Sequence, residues 1–121
     1  MKKVLVIDDE KDLLFLVKST LEFEGAYKVM ISDNLSAERN IREFQPDIVL
    51  LDIMMPGVNG FDILSRIKGS ENTSHIPVLM LSALGDDSSK VTSSTLYGNG
   101  YLVKPVDKET LVSAIEKCLA I

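Results

Sequence analysis

The sequence predicts an α/β sandwich in which helices cover both faces of a parallel five-stranded sheet of order 2-1-3-4-5. Three observations predict it. Short runs that are apolar throughout, rather than alternating, mark strands buried on both faces. Segments of helical spacing lie between these runs, and strand followed by helix five times implies right-handed crossovers. With only 121 residues, five strands favour the smaller of the two common doubly wound orders.

The first strand is read at Val4 to Ile7, and Leu14, Val17 and Leu21 place one apolar stripe on the helix that follows. Tyr27 to Ile31, interrupted by Lys28, is a weaker second strand. Ala37, Ile41 and Phe44 mark a second helix that closes before Pro46. Ile48 to Leu51 is the third strand, and Phe61, Leu64 and Ile67 mark a helix closed by Gly69. Val78 to Leu81 is the fourth strand. A fourth helix is expected at Asp87 to Tyr97, short or mobile because Ser88, Ser89, Thr92, Ser93, Ser94 and Thr95 weaken helix propensity. Tyr101 to Val103 is the fifth strand. Leu111, Ala114, Ile115, Cys118 and Leu119 form the stripe of the last helix, behind Asp107 as N-cap.

Composition narrows the function. Thirteen Lys plus Arg against eighteen Asp plus Glu give a net charge of −5, which argues against direct binding to a nucleic-acid backbone. One cysteine, Cys118, excludes an internal disulfide and a cysteine-based zinc cluster, and its place on the helix stripe suits core packing. Met1-Lys2-Lys3 leads into four apolar residues only, too few for a secretion signal, and no run approaches a membrane span. The expectation is a cytoplasmic protein. His75 has no second ligand at metal spacing and reads as a surface residue, and Asp86 and Asp87 read as caps of the fourth helix.

The chemistry lies at the carboxyl ends of the strands. Asp8, Asp9 and Glu10 follow the first, Asp52 the third, Ser82 the fourth and Lys104 the fifth. Singly, each has an ordinary explanation: Asp8 and Asp9 as helix caps, Ser82 as a turn residue, Lys104 as a solvated lysine. Together they converge on the crevice where such sheets bind ligands. Two carboxylates about 5 Å apart at an effective dielectric near 20 repel by roughly 3 kcal/mol. Three of them call for raised pKa values or a cation, and Mg²⁺, a hard ion that retains waters and shares phosphate oxygens, suits so small an acidic set. A carboxylate beside Mg²⁺ and a lysine is equipped to attack phosphorus and form an aspartyl phosphate.

Val4 to Glu10 (VLVIDDE), Ile48 to Gly60 (IVLLDIMMPGVNG), Val78 to Ala83 (VLMLSA) and Gly100 to Asp107 (GYLVKPVD) together resemble the receiver domain of two-component response regulators. The resemblance spans nearly the whole chain and implies a single receiver domain over residues 1–121 with a flavodoxin-like (βα)5 three-layer fold. It implies Asp52 as phosphoacceptor, supplied by a histidine kinase, a phosphotransfer protein or a small acyl phosphate. It also implies Asp9, Asp52 and the Met54 backbone carbonyl as Mg²⁺ ligands, with Asp8 acting through water. Ser82 corresponds to the switch hydroxyl, Tyr101 to the switch aromatic and Lys104 to the phosphate-pairing lysine, with a cis bond before Pro105. The turn after the acceptor strand falls at Pro56 and Gly57.

The output expected from the resemblance is a signalling switch, a phosphoacceptor rather than an enzyme, although one able to promote its own phosphorylation and dephosphorylation. Its partner face is the fourth helix, fifth strand and fifth helix, which would meet a downstream protein, a fused effector domain or a second copy. A stand-alone receiver and a domain of a longer regulator or hybrid kinase both remain open. Two other readings fit less well. A haloacid-dehalogenase-like phosphohydrolase would want an acid at position 54, which is Met. A flavodoxin-like carrier of FMN would want a phosphate loop where Asp8-Asp9-Glu10 would repel phosphate.

Overall fold

In the computed structural model, residues 1–23, 25–52, 54–55, 58–82, 100–103 and 107–120 are described, those at 54–55, 58–59, 61 and 82 through the backbone. The elements run β1 (Lys2–Ile7), α1 (Lys11–Phe23), β2 (Tyr27–Ser32), α2 (Ala37–Phe44), β3 (Ile48–Asp52), β4 (Met54–Met55), β5 (Val58–Asn59), α3 (Gly60–Gly69), β6 (Val78–Ser82), β7 (Tyr101–Val103) and α4 (Lys108–Leu119). The main sheet has five parallel strands in the order β2-β1-β3-β6-β7, which counted among themselves is 2-1-3-4-5. The helix expected at Asp87 to Tyr97, with Asp86 as its cap, lies outside the described residues.

Alternation along the strands sorts the core into two layers. Leu5 and Ile7 of β1, Val49 and Leu51 of β3, and Val78 and Met80 of β6 face α2 and α3, meeting Ala37, Ile41, Ile63, Leu64 and Ile67. Val4 and Val6, Ile48 and Leu50, and Leu79 and Leu81 point the other way, onto Leu14, Val17 and Leu21 of α1 and Leu111 and Ile115 of α4. This is why β1, β3 and β6 are apolar at successive positions: neither face is wet. Each fully buried aliphatic side chain contributes roughly 1.5–3 kcal/mol relative to exposure.

Two features differ from the sequence reading. β7 was expected to be buried on both faces, yet Tyr101 and Val103 are each 46% exposed. An edge strand has a neighbour on one side only, and β7 is such an edge. After β3, the short strands β4 and β5 pair antiparallel, Met54 opposite Asn59 and Met55 opposite Val58. Pro56 and Gly57, read as the turn after the acceptor strand, lie outside the described residues, and Met54 and Met55 are both in strand.

Local chemistry explains the helix ends. Asp107 caps α4, its Oδ1 accepting the Thr110 N–H at 2.7 Å. Ser36 precedes α2 without a side-chain cap; instead Asp33 Oδ1 accepts the Ser36 N–H at 2.8 Å. Gly100 enters β7 at φ +147°, a conformation that L side chains rarely adopt, and a Cβ there would sit 3.3 Å from Leu79 Cδ2. Cys118 is half-buried against the α1–α4 layer, and burial pushes its thiol pKa up, away from reactivity.

Candidate metal and phosphoacceptor site

Strand register brings the acids together. β1 and β3 pair with Ile7 level with Leu51, so Asp8, one residue on, comes level with Asp52. Both continue the alternation of the α1-facing set: Val4 and Val6 before Asp8, Ile48 and Leu50 before Asp52. Asp9 follows directly. Asp8, Asp9 and Asp52 each present a carboxylate oxygen within 4.8 Å of the others. Asp8 is fully buried and Asp52 is 3% exposed, whereas Asp9 is exposed.

Asp8 performs two tasks that the sequence presented as alternatives. Its Oδ1 accepts the N–H of Asp9 at 2.8 Å and of Glu10 at 3.1 Å. These bonds satisfy donors in the turn that enters α1, as a helix cap would. They also fix the carboxylate as part of the acidic group. Within 4.8 Å and at an effective dielectric near 20, like charges on Asp8 and Asp52 would repel by about 3 kcal/mol or more.

The donor set fits a small hard cation. All three side chains offer oxygen, none offers nitrogen or sulfur, and a set this small leaves coordination positions for water and a phosphoryl oxygen. Met54, whose backbone carbonyl was expected as a further ligand, begins β4 two residues after Asp52. His75 is exposed and joins no such group among the described residues.

The remaining predicted residues are placed unequally. Asp52 lies level with Leu81 of β6, so Ser82 is the next residue of that strand, and Ser82 lies level with Val103 of β7. The Ser82 backbone therefore ends a strand at the same rim as the acids. Its side chain, Lys104 and the Lys104–Pro105 bond lie outside the described residues. Tyr101, half-exposed on β7, lines a cavity of about 350 Å³ with Leu79, Gly100, Leu102, Ala114, Lys117 and Cys118.

Sequence reasoning missed one buried polar pair beside the acids, Ser32 and Asn40. The signal was present: Asn40 falls three residues after Ala37, on the stripe that buries Ile41. Its partner at the end of β2 becomes apparent only in the fold.

Comparison with known proteins agrees with this geometry. A family model described as the response regulator receiver domain matches residues 4–116. The chain is 34% identical over 119 residues to the DNA-binding dual master transcriptional regulator RpaA of Synechocystis, covering 98% of this chain and 49% of that protein. It is 32% identical over 120 residues to protein PilH of Pseudomonas aeruginosa, covering 99% of both. The chain thus spans about half the length of one curated relative and nearly all of another. A crystal structure of a putative response regulator from Chloroflexus aurantiacus superposes with a TM-score of 0.88 at 29% identity, covering 99% of this chain and 98% of that one. An acidic crevice at the carboxyl ends of a 2-1-3-4-5 sheet and a match over residues 4–116 lead to one assignment: the chain belongs to the response regulator receiver domain family.

Proposed function

We propose that residues 1–121 form one receiver domain acting as a Mg²⁺-dependent phosphorelay switch, with Asp52 as the phosphoacceptor. The observation that carries this reading is the meeting of Asp8, Asp9 and the buried Asp52 within 4.8 Å. A carboxylate oxygen of Asp52 attacks phosphorus in line with the leaving group. With a phosphohistidine donor the P–N bond breaks, its electron pair stays on the imidazole nitrogen, and an acyl phosphate forms on Asp52. When bound, Mg²⁺ supplies charge neutralisation, both of the crowded carboxylates and of the phosphoryl oxygens. Asp9, Asp52 and the Met54 carbonyl would hold it directly, and Asp8 through water. By their places in the family's motifs, Lys104 pairs with the phosphoryl group and the Ser82 hydroxyl donates to its oxygens.

Phosphorylation adds about −1.5 to −2 charge at the rim. In our reading Ser82 moves toward that charge, and Tyr101, half-exposed beside the groove between β7 and α4, turns inward. The face that changes comprises the expected helix at Asp87 to Tyr97, β7 and α4. It would engage a downstream protein, a fused effector domain or a second copy of the chain. The donor would be a histidine kinase or phosphotransfer protein, and the compartment the cytoplasm. Among the described residues no helix is long and apolar enough to cross a membrane. The domain binds no nucleic acid itself, in keeping with its net charge of −5.

Phosphoramidate, a small P–N donor, tests the assignment. After reaction in Mg²⁺, borohydride reduction converts an aspartyl phosphate to homoserine, which peptide mapping locates. Homoserine at position 52 is the expected result. Homoserine elsewhere, or none, would overturn the proposal.

A further inference from the structure

Asn40 is the polar exception on the buried side of α2. It is 8% exposed, between Ala37 and Ile41 at 1% and 2%, and a carboxamide there is costly to desolvate unless bonded. Its Nδ2 donates to Ser32 Oγ at 2.8 Å, and Ser32 Oγ donates to the Asp33 carbonyl at 2.8 Å. Ser32 is the last residue of β2, 5% exposed, and lies level with Ile7 of β1. Its carbonyl accepts the N–H of Asp8 at 3.2 Å. A continuous run of hydrogen bonds therefore leads from the interior of α2, through the end of β2, to the backbone of the first acid.

That last rung has a particular position. Asp8 lies beyond the β1–β2 ladder, and its side-chain bonds to the N–H groups of Asp9 and Glu10 are local to its own turn. The bond to Ser32 ties the turn to the neighbouring strand, and Asn40 and the Asp33 carbonyl hold Ser32 by its hydroxyl. Any shift of the turn relative to β2, and so of Asp8 relative to Asp52, has to break or bend this bond. A buried network with every member satisfied is suited to such rigid placement.

We infer that Asn40 and Ser32 are positioning residues for the acidic site: they touch no ion or phosphoryl group, but set the height of Asp8 beside Asp52 and thereby the affinity for the divalent cation. This inference rests on the proposed function. Removing groups that orient metal ligands costs about 10–100-fold in affinity, and Asn40 acts one step further out, so we expect a loss of roughly three- to tenfold.

The test compares the full chain with N40A, with the S32A/N40L double variant, and with D47A as a control at the opposite end of the sheet. Mg²⁺ affinity is measured by calorimetric titration, and Asp8 amide exchange is measured in metal-free buffer. The expected result is that N40A and S32A/N40L both bind Mg²⁺ roughly three- to tenfold more weakly and exchange the Asp8 amide faster, while D47A matches the parent in Mg²⁺ affinity. The double variant refills the space with apolar atoms, so it separates placement of Asp8 from stability alone. Parental Mg²⁺ affinity in both variants, whatever their melting temperatures, would reduce Asn40 to a packing residue and overturn the inference. Absence of Mg²⁺ binding by every chain, parent included, would instead overturn the proposed function and this inference with it.

Discussion

The two ends of the β1–β3 ladder put aspartates to opposite uses. At the amino end Lys3 comes level with Asp47. Asp47 Oδ2 accepts the Lys3 N–H at 2.7 Å, and the Asp47 N–H donates to the Lys3 carbonyl at 2.8 Å. Lys3 Nζ in turn donates to the Phe44 carbonyl at 2.9 Å and lies 5.5 Å from the centre of the Phe44 ring. Five residues further along both strands, Asp8 comes level with Asp52 and like charges meet. The same residue type closes the structure at one rim and concentrates negative charge at the other. The crevice in such sheets opens at the carboxyl ends, so stability is built at the end where no ligand is expected.

The contrast yields predictions of decreasing size. Mg²⁺ at a hundredfold excess over its dissociation constant should stabilise the parent by about 2.7 kcal/mol, and EDTA should remove that gain in a thermal melt. Equal melting with and without Mg²⁺ would remove the distinction between the rims. D9N should weaken Mg²⁺ binding by more than about tenfold, or roughly 1.4 kcal/mol, while metal-free protein melts at or above the parent because one of three like charges has gone. Calorimetry and differential scanning together check both halves. D47A should cost about 1 kcal/mol in urea denaturation, from a half-buried hydrogen bond, with Mg²⁺ affinity unchanged.

The smallest effect concerns Asp107, whose capping bonds to Thr110 hold its carboxyl below the ordinary carboxylate pKa. A depressed native pKa contributes stability that is present above the unfolded value and lost as pH falls through the folded one. The stability difference between the parent and D107N should therefore shrink as pH drops through the acid range below that ordinary value. Acid titration followed by circular dichroism would show it, and a difference independent of pH would contradict it.

The legible parts of the molecule were those where one physical cause acts along a contiguous stretch. Val4–Ile7, Ile48–Leu51 and Val78–Leu81 are buried on both faces, so each of these runs is apolar throughout and declares itself. The Asp107 cap is local to three residues and was equally plain. The acids could be placed at one rim from strand order alone, but not their spacing, which depends on register. Three features escaped because their causes lie elsewhere in the chain. Tyr101 and Val103 are exposed on a strand whose place at the sheet's edge the run itself does not reveal. The Met54–Met55 and Val58–Asn59 strands are too short to carry a period. Asn40 looks like a flaw in an apolar stripe until Ser32 is seen opposite it.

The central claim is that crowded carboxylates make Asp52 reactive toward phosphorus only with a divalent cation present. Intact-mass spectrometry of the parent and D52N, each incubated with acetyl phosphate in Mg²⁺ and again in EDTA, tests it most directly. One phosphoryl adduct is expected, on the parent in Mg²⁺ alone. Equal labelling of D52N, or labelling of the parent undiminished by EDTA, would contradict it.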